Sequence, residues 1–154
     1  MVRIVTLLLA LFTAPATPVL AQTPEAEVRA AIDALFEAMR VPNRDVAARL
    51  FHPEARLHSV VETTAGAALQ SSPIAAFVDA VGSPRAELWE EKIWDVEIRV
   101  DGGLATAWMQ YAFQVDGVVS HCGVNAFQLV RGRTGWQILQ VTDTRRRTGC
   151  VVGG

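Results

Sequence analysis

The feature that most constrains this chain is Asp116-Gly117, set between two long runs of strand-forming residues, Leu104–Val115 and Val118–Val130. Asp-Gly supplies the two positive-φ positions of a type I′ turn, so the flanking runs are predicted to fold back as one antiparallel hairpin. Leu88–Val100 precedes this hairpin across an Asp101-Gly102-Gly103 turn, and Trp136–Arg145 follows it across Arg131–Gly135. The second half of the chain therefore reads as a meander of four antiparallel strands.

The first half has a different period. Val28, Ala31, Ile32, Leu35, Phe36 and Met39 recur at helical spacing behind Thr23-Pro24-Glu25. That is a capping threonine, a proline suited to the first turn and acidic residues at the positive end of the helix dipole. Pro42 ends the helix near Arg40, because the residue before proline is pushed out of helical conformation. Asn43 is placed to cap a second, short helix through Leu50, and Phe51–Ala55 reads as a turn. Arg56–Thr63 has strand character, Thr64–Ser72 reads as a loop, and Ser72-Pro73 opens a third helix that Gly82 and Pro84 stop. Helices and strands in separate blocks predict an α+β domain, with three N-terminal helices packed on a mostly antiparallel sheet.

The mean hydropathy of +0.24 is high for a water-soluble domain. Met1–Ala21 accounts for much of it: one basic residue, Arg3, then the apolar run Ile4–Ala14, then Pro15, Pro18 and Val19-Leu20-Ala21. This pattern predicts a signal peptide (1–21) cleaved after Ala21, too short in its apolar part for a stable membrane span. The domain is then 22–154, periplasmic or secreted. Export makes Cys122 and Cys150 a candidate disulfide, with two buried free thiols as the alternative. The net charge of −2 argues against a nucleic-acid binder working through a basic surface.

Leu50-Phe51-His52-Pro53-Glu54-Ala55-Arg56-Leu57, Val100–Trp108 and Gly135-Trp136-Gln137-Ile138 resemble three signatures of the nuclear transport factor 2-like superfamily, and Glu25–Arg40 resembles its first helix. Ser120–Val130 with Thr144-Arg145-Arg146 is similar to an exported, SnoaL-like bacterial subgroup usually described as lumazine-binding or uncharacterised. The resemblance implies a cone-shaped α+β fold with a cavity inside a strongly curved sheet. It implies no single activity: the superfamily includes ketosteroid isomerase, scytalone dehydratase, limonene epoxide hydrolase, polyketide cyclases and non-enzymatic modules.

A two-residue loop pairs Trp108 with Asn125, Gln110 with Gly123, Tyr111 with Cys122 and Ala112 with His121. Alternation then places His121, Asn125, Trp108 and Gln110 on one face, with Asp143 as a further candidate, and Tyr111 with Cys122 on the other. A one-residue bulge exchanges the sets on one strand. Trp108, Tyr111, His121 and Asn125 are the candidate ligand-binding residues. In a catalytic version, His58 or His121 acts as general acid or base, Asp143 orients it or is itself the base, and Tyr111 donates to a developing oxyanion. The plainer reading has His121 as a satisfied strand histidine and Asp143 paired with one of Arg145–Arg147. His52, before Pro53, reads as a structural hydrogen-bonding residue. His52, His58 and His121 lack metal-binding spacing, so neither metal nor cofactor is called for. The expected function is binding of a small molecule of unidentified class, with a cofactor-free isomerase or dehydratase and a non-catalytic dimeric interaction module as alternatives. The apolar character of both sheet faces predicts a homodimer.

Overall fold

The structure, a computed structural model, describes residues 21–153. The expected leader lies outside those residues apart from Ala21. Helix α1 spans Pro24–Arg40, α2 Arg44–Leu50 and α3 Ile74–Gly82; the strands are β1 (Phe51–Thr63), β2 (Gly66–Ser72), β3 (Trp89–Asp101), β4 (Leu104–Val115), β5 (Val118–Gly132) and β6 (Gly135–Arg145). The caps are those the sequence supplies. Thr23 Oγ1 accepts from the Ala26 amide at 3.2 Å, and Asn43 Oδ1 accepts from that of Val46 at 3.0 Å. Val28, Ile32, Leu35, Ala38 and Met39 form the buried stripe of α1.

The six strands make one curved sheet in the order β2-β1-β6-β5-β4-β3. All pairs are antiparallel except β1 with β6. The helices close over one face, where Met109, Phe127, Leu129, Ile138 and Val141 meet the α1 stripe. Three expectations need correction. Thr64–Ser72 is not all loop, because Gly66–Ser72 pairs with β1 from Thr63↔Gly66 to Leu57↔Ser72. Ladder hydrogen bonds to one neighbour hold this exposed edge strand, so it needs no alternating pattern. Phe51–Ala55 is not a separate turn but the irregular start of β1, whose pairing with β6 shifts between Phe51 and Arg56. His52 has a local structural bond there, accepting from the Glu54 amide at 3.1 Å.

The third correction concerns the faces. The hairpin starts in the expected register, Val115↔Val118 and Gln114↔Val119, and then β5 carries one extra residue, Ser120. Phe113 therefore faces His121, Tyr111 faces Gly123 and Met109 faces Asn125. The bulge exchanges the faces of β5 relative to β4, bringing Tyr111 onto the same side as His121 and Asn125 and sending Trp108 and Gln110 to the other. A second bulge lies in β3, where Asp95 takes a φ of 51° and the pairing skips from Trp94↔Gln110 to Glu97↔Trp108. Glu91 and Ile93 before it, and Val96, Ile98 and Val100 after it, thus point under the helices.

Cys122 and Cys150 form a disulfide, with their Cα atoms 5.7 Å apart. Cys122 pairs with Ala112 on the outer sheet face. Its backbone exchanges two 3.0 Å hydrogen bonds with Arg146, and the following tail crosses to lay Gly153 against the Trp94 indole. The bridge spans a sequence separation of 28, which on the chain-entropy model contributes about 3–4 kcal/mol. Cys150→Ser is expected to lose stability of that order in urea unfolding, and reduction of the unfolded wild type to add two hydrogens by mass spectrometry.

Candidate functional site

Between the helices and the inner sheet face lies a cavity of about 330 Å³. Leu35, Phe36 and Met39 from α1, Ala76 and Phe77 from α3, and Phe51 and Phe127 give it hydrocarbon walls. Its polar groups come from all six strands: Ser59 of β1, Gln70 and Ser72 of β2, Glu91 of β3, Tyr111 of β4, His121 and Asn125 of β5, and Asp143 and Arg145 of β6.

Asp143 is the hub. It is buried, and three donors reach it: Ser59 Oγ to Oδ1 at 2.5 Å, Tyr111 Oη to Oδ2 at 2.9 Å and Arg145 Nε to Oδ2 at 3.2 Å. Register produces this convergence. The parallel β1–β6 ladder sets Ser59 opposite Asp143, and the antiparallel β5–β6 ladder sets Asn125 opposite it from the other side. Tyr111 Oη also lies 3.0 Å from the Thr144 carbonyl. Burial and the adjacent Asp143 carboxylate raise the Tyr111 pKa, so its hydroxyl keeps its proton. Gly123 opposite Tyr111 makes the close approach possible, because a Cβ there would collide with the Thr144 backbone.

Asn125, also buried, donates from Nδ2 to Glu91 Oε1 at 2.6 Å. Burial pushes the Glu91 carboxyl up to about 7; the Asn125 bond opposes that rise and the Asp143 charge adds to it. His121 packs its ring 5.0 Å from Phe113 and 5.8 Å from Tyr111, centroid to centroid. Burial, then the Arg145 charge, pull it down to about 4, so the imidazole is neutral at physiological pH.

Of the residues singled out by sequence, Tyr111, His121, Asn125 and Asp143 meet at this cavity. Trp108 does not. It stands on the outer face, 53% exposed, at a separate recess with Glu97, Arg99 and Gln128. His58 does not either. It is one residue from cavity-lining Ser59, on the opposite side of the strand, with Nδ1 2.8 Å from Ser71 Oγ. The expected acid–base group of His58, His121 and Asp143 is therefore not assembled. Asp143 has the arginine partner of the plainer reading, Arg145. Glu91 and Ser59 went unrecognised. Nothing in Trp89-Glu90-Glu91-Lys92 separates Glu91 from Glu90 except its parity with Ile93. Among the described residues, no group of three or more His, Cys, Asp or Glu is placed to hold a metal.

Comparison with solved structures settles the architecture. The chain superposes on an NTF2-like protein of unknown function from Shewanella baltica (TM-score 0.59, 14% identity, 79% of this chain and 92% of that one). This is a nuclear transport factor 2-like fold. An NTF2-like protein with a cystatin-like fold from Novosphingobium aromaticivorans is similar (TM-score 0.61, 14% identity, 82% and 84%). So is a proposed dehydratase of the NTF2-like family from Streptomyces avermitilis (TM-score 0.60, 15% identity, 79% and 95%). At these identities the likeness is one of fold. No family model matches the sequence, and no curated protein matches it.

Two stability outcomes follow. Tyr111→Phe removes a hydrogen bond to a buried carboxylate and is expected to cost about 2 kcal/mol in urea unfolding. Glu91 binds its proton more tightly folded than unfolded, so its protonated form stabilises the fold below about pH 4.5 and that stabilisation is lost as pH rises to about 7. Glu91→Gln should match the wild type near pH 4 and exceed it in melting temperature at pH 8. A wild type that is the more stable at pH 8 contradicts this.

Proposed function

We propose that the chain is an exported module that binds one small, partly apolar molecule inside the cone. The observation that carries this reading is the division of the cavity: aromatic and aliphatic walls from the helices, and hydrogen-bonding groups gathered on the sheet side. The leader-like N-terminus and the Cys122–Cys150 bridge support export. No helix among the described residues is long and apolar enough to cross a membrane. The exposed Trp108 on the outer face supports pairing of two copies through that face.

One observation favours a catalytic version of the same module. Glu91, held near 7, can give or take a proton at neutral pH in a pocket where Tyr111 keeps its hydroxyl proton. That combination suits an isomerase or dehydratase working without a cofactor, and the resemblance to a proposed dehydratase agrees with it.

Native mass spectrometry of protein purified from its own periplasm, alongside Ala76→Trp, tests the binding reading. A retained small molecule is expected on the wild type and not on the variant, whose indole fills the space beside Phe77. No adduct on the wild type, together with no thermal shift across a metabolite panel, overturns the reading. Turnover lost in Glu91→Gln with binding kept marks the catalytic version.

A further inference from the structure

The polar groups on the sheet side of the cavity set what a ligand has to bring. The Ser59 and Tyr111 hydroxyl protons and the Arg145 Nε–H go to Asp143, and an Asn125 amide proton goes to Glu91. Glu91 Oε2 receives no protein donor, nor does Asn125 Oδ1, although each can accept. Donors remain free as well, on the Arg145 Nη groups, Asn125 Nδ2, neutral His121, Gln70 and Ser72, so it is charge rather than the hydrogen-bond count that sets Glu91 apart.

Asp143 and Arg145 form an ion pair at 3.2 Å and cancel. His121 is neutral, since burial and the charges of Arg145 and Arg147 oppose its protonation more than Asp143 favours it. Tyr111 stays protonated. The helices add only hydrocarbon to the cavity: Leu35, Phe36 and Met39 from α1, Ala76 and Phe77 from α3. Among the described residues no cation lies within 4.0 Å of Glu91, although Asp33, Glu37 and Asp79 all have arginine partners at the surface. When Glu91 ionises, the cavity carries one negative charge beyond the Asp143–Arg145 pair.

We propose that the cavity selects an amphiphilic monocation, an amine on an apolar body, with its ammonium group seated on Glu91 and Asn125 Oδ1. This deepens the binding reading above and rests on it. An ammonium offers three donors and one positive charge, which matches one free carboxylate oxygen, one amide oxygen and one unit of charge. The Phe36, Phe51 and Phe77 rings line the wall that receives the apolar body, and aromatic faces also attract a cation. An anionic head meets Glu91 and Asp143 with like charge, and Arg145, the cation among the cavity-lining residues, has its charge already offset by Asp143. Amine binding requires ionised Glu91 and so displaces its proton into solvent. Affinity therefore rises with pH until Glu91 is ionised and then levels off.

The test compares octylamine, octanol and octanoate, three molecules of one body and different heads, by calorimetry on the full mature chain. With Glu91 titrating near 7, octylamine is expected to bind tightest at pH 8 and to weaken about tenfold by pH 6, with proton release seen as a buffer-dependent heat. Octanol should weaken far less over that range. Glu91→Gln should keep octanol binding, which shows that the cavity is intact, and lose both the amine preference and its pH dependence. Octanol or octanoate binding as tightly as octylamine at pH 8, or a Glu91→Gln protein that still prefers the amine, overturns the amine assignment and leaves the binding reading standing. Failure of all three to bind overturns this inference, while the binding reading stands or falls by the native mass spectrum and the metabolite panel.

Discussion

A carboxylate at 4% exposure beneath three helices is tolerable only if protein groups replace the water it has lost, and that requirement organises the inner face around Asp143. Its three donors come from β1, β4 and β6, so satisfying one side chain fixes three strands relative to one another. Among the described residues the β1–β6 ladder is the only parallel pairing, and it is the one that brings Ser59 to Asp143. Removing Asp143 leaves the Ser59 and Tyr111 hydroxyls short of an acceptor, and a buried donor left unpaired commonly costs about 1–3 kcal/mol. Asp143 therefore acts as scaffold, while Glu91, with one protein donor and a free oxygen, is left for chemistry or binding.

The elements were readable where local physics decides them. Thr23, Asn43 and Pro42 act through hydrogen bonds and backbone sterics within a few residues, and the helices begin and end where those residues place them. Asp116-Gly117 likewise set the first two pairs of the hairpin. The edge strand β2 was not readable, because pairing with β1 rather than its own pattern makes Gly-Ala-Ala-Leu-Gln-Ser-Ser extended.

The site was half readable. Tyr111, His121, Asn125 and Asp143 attract notice as polar side chains in otherwise apolar strands, and they do share a cavity. Which of them share a face depends on bulges, which no short-range pattern announced. Trp108 was drawn into the set because an unbulged hairpin aligns it with Asn125. His58 was drawn in by residue type, although Ser59 is the residue of that pair whose side chain reaches Asp143. Glu91 needed both the β3 bulge and its partner Asn125 to be distinguished from Glu90.

Ser120 occupies the β5 bulge, and its hydroxyl meets only the neighbouring His121 ring, at 3.2 Å. What matters at this position is that a residue is present. Without it, His121 and Asn125 turn to the outer face and Cys122 turns inward, away from Cys150. Only the strand with the correct count can close the covalent bridge. In an oxidising compartment the disulfide thus proofreads the register: a chain that has slipped by one residue cannot be locked, and a locked chain has its cavity polarity the right way round.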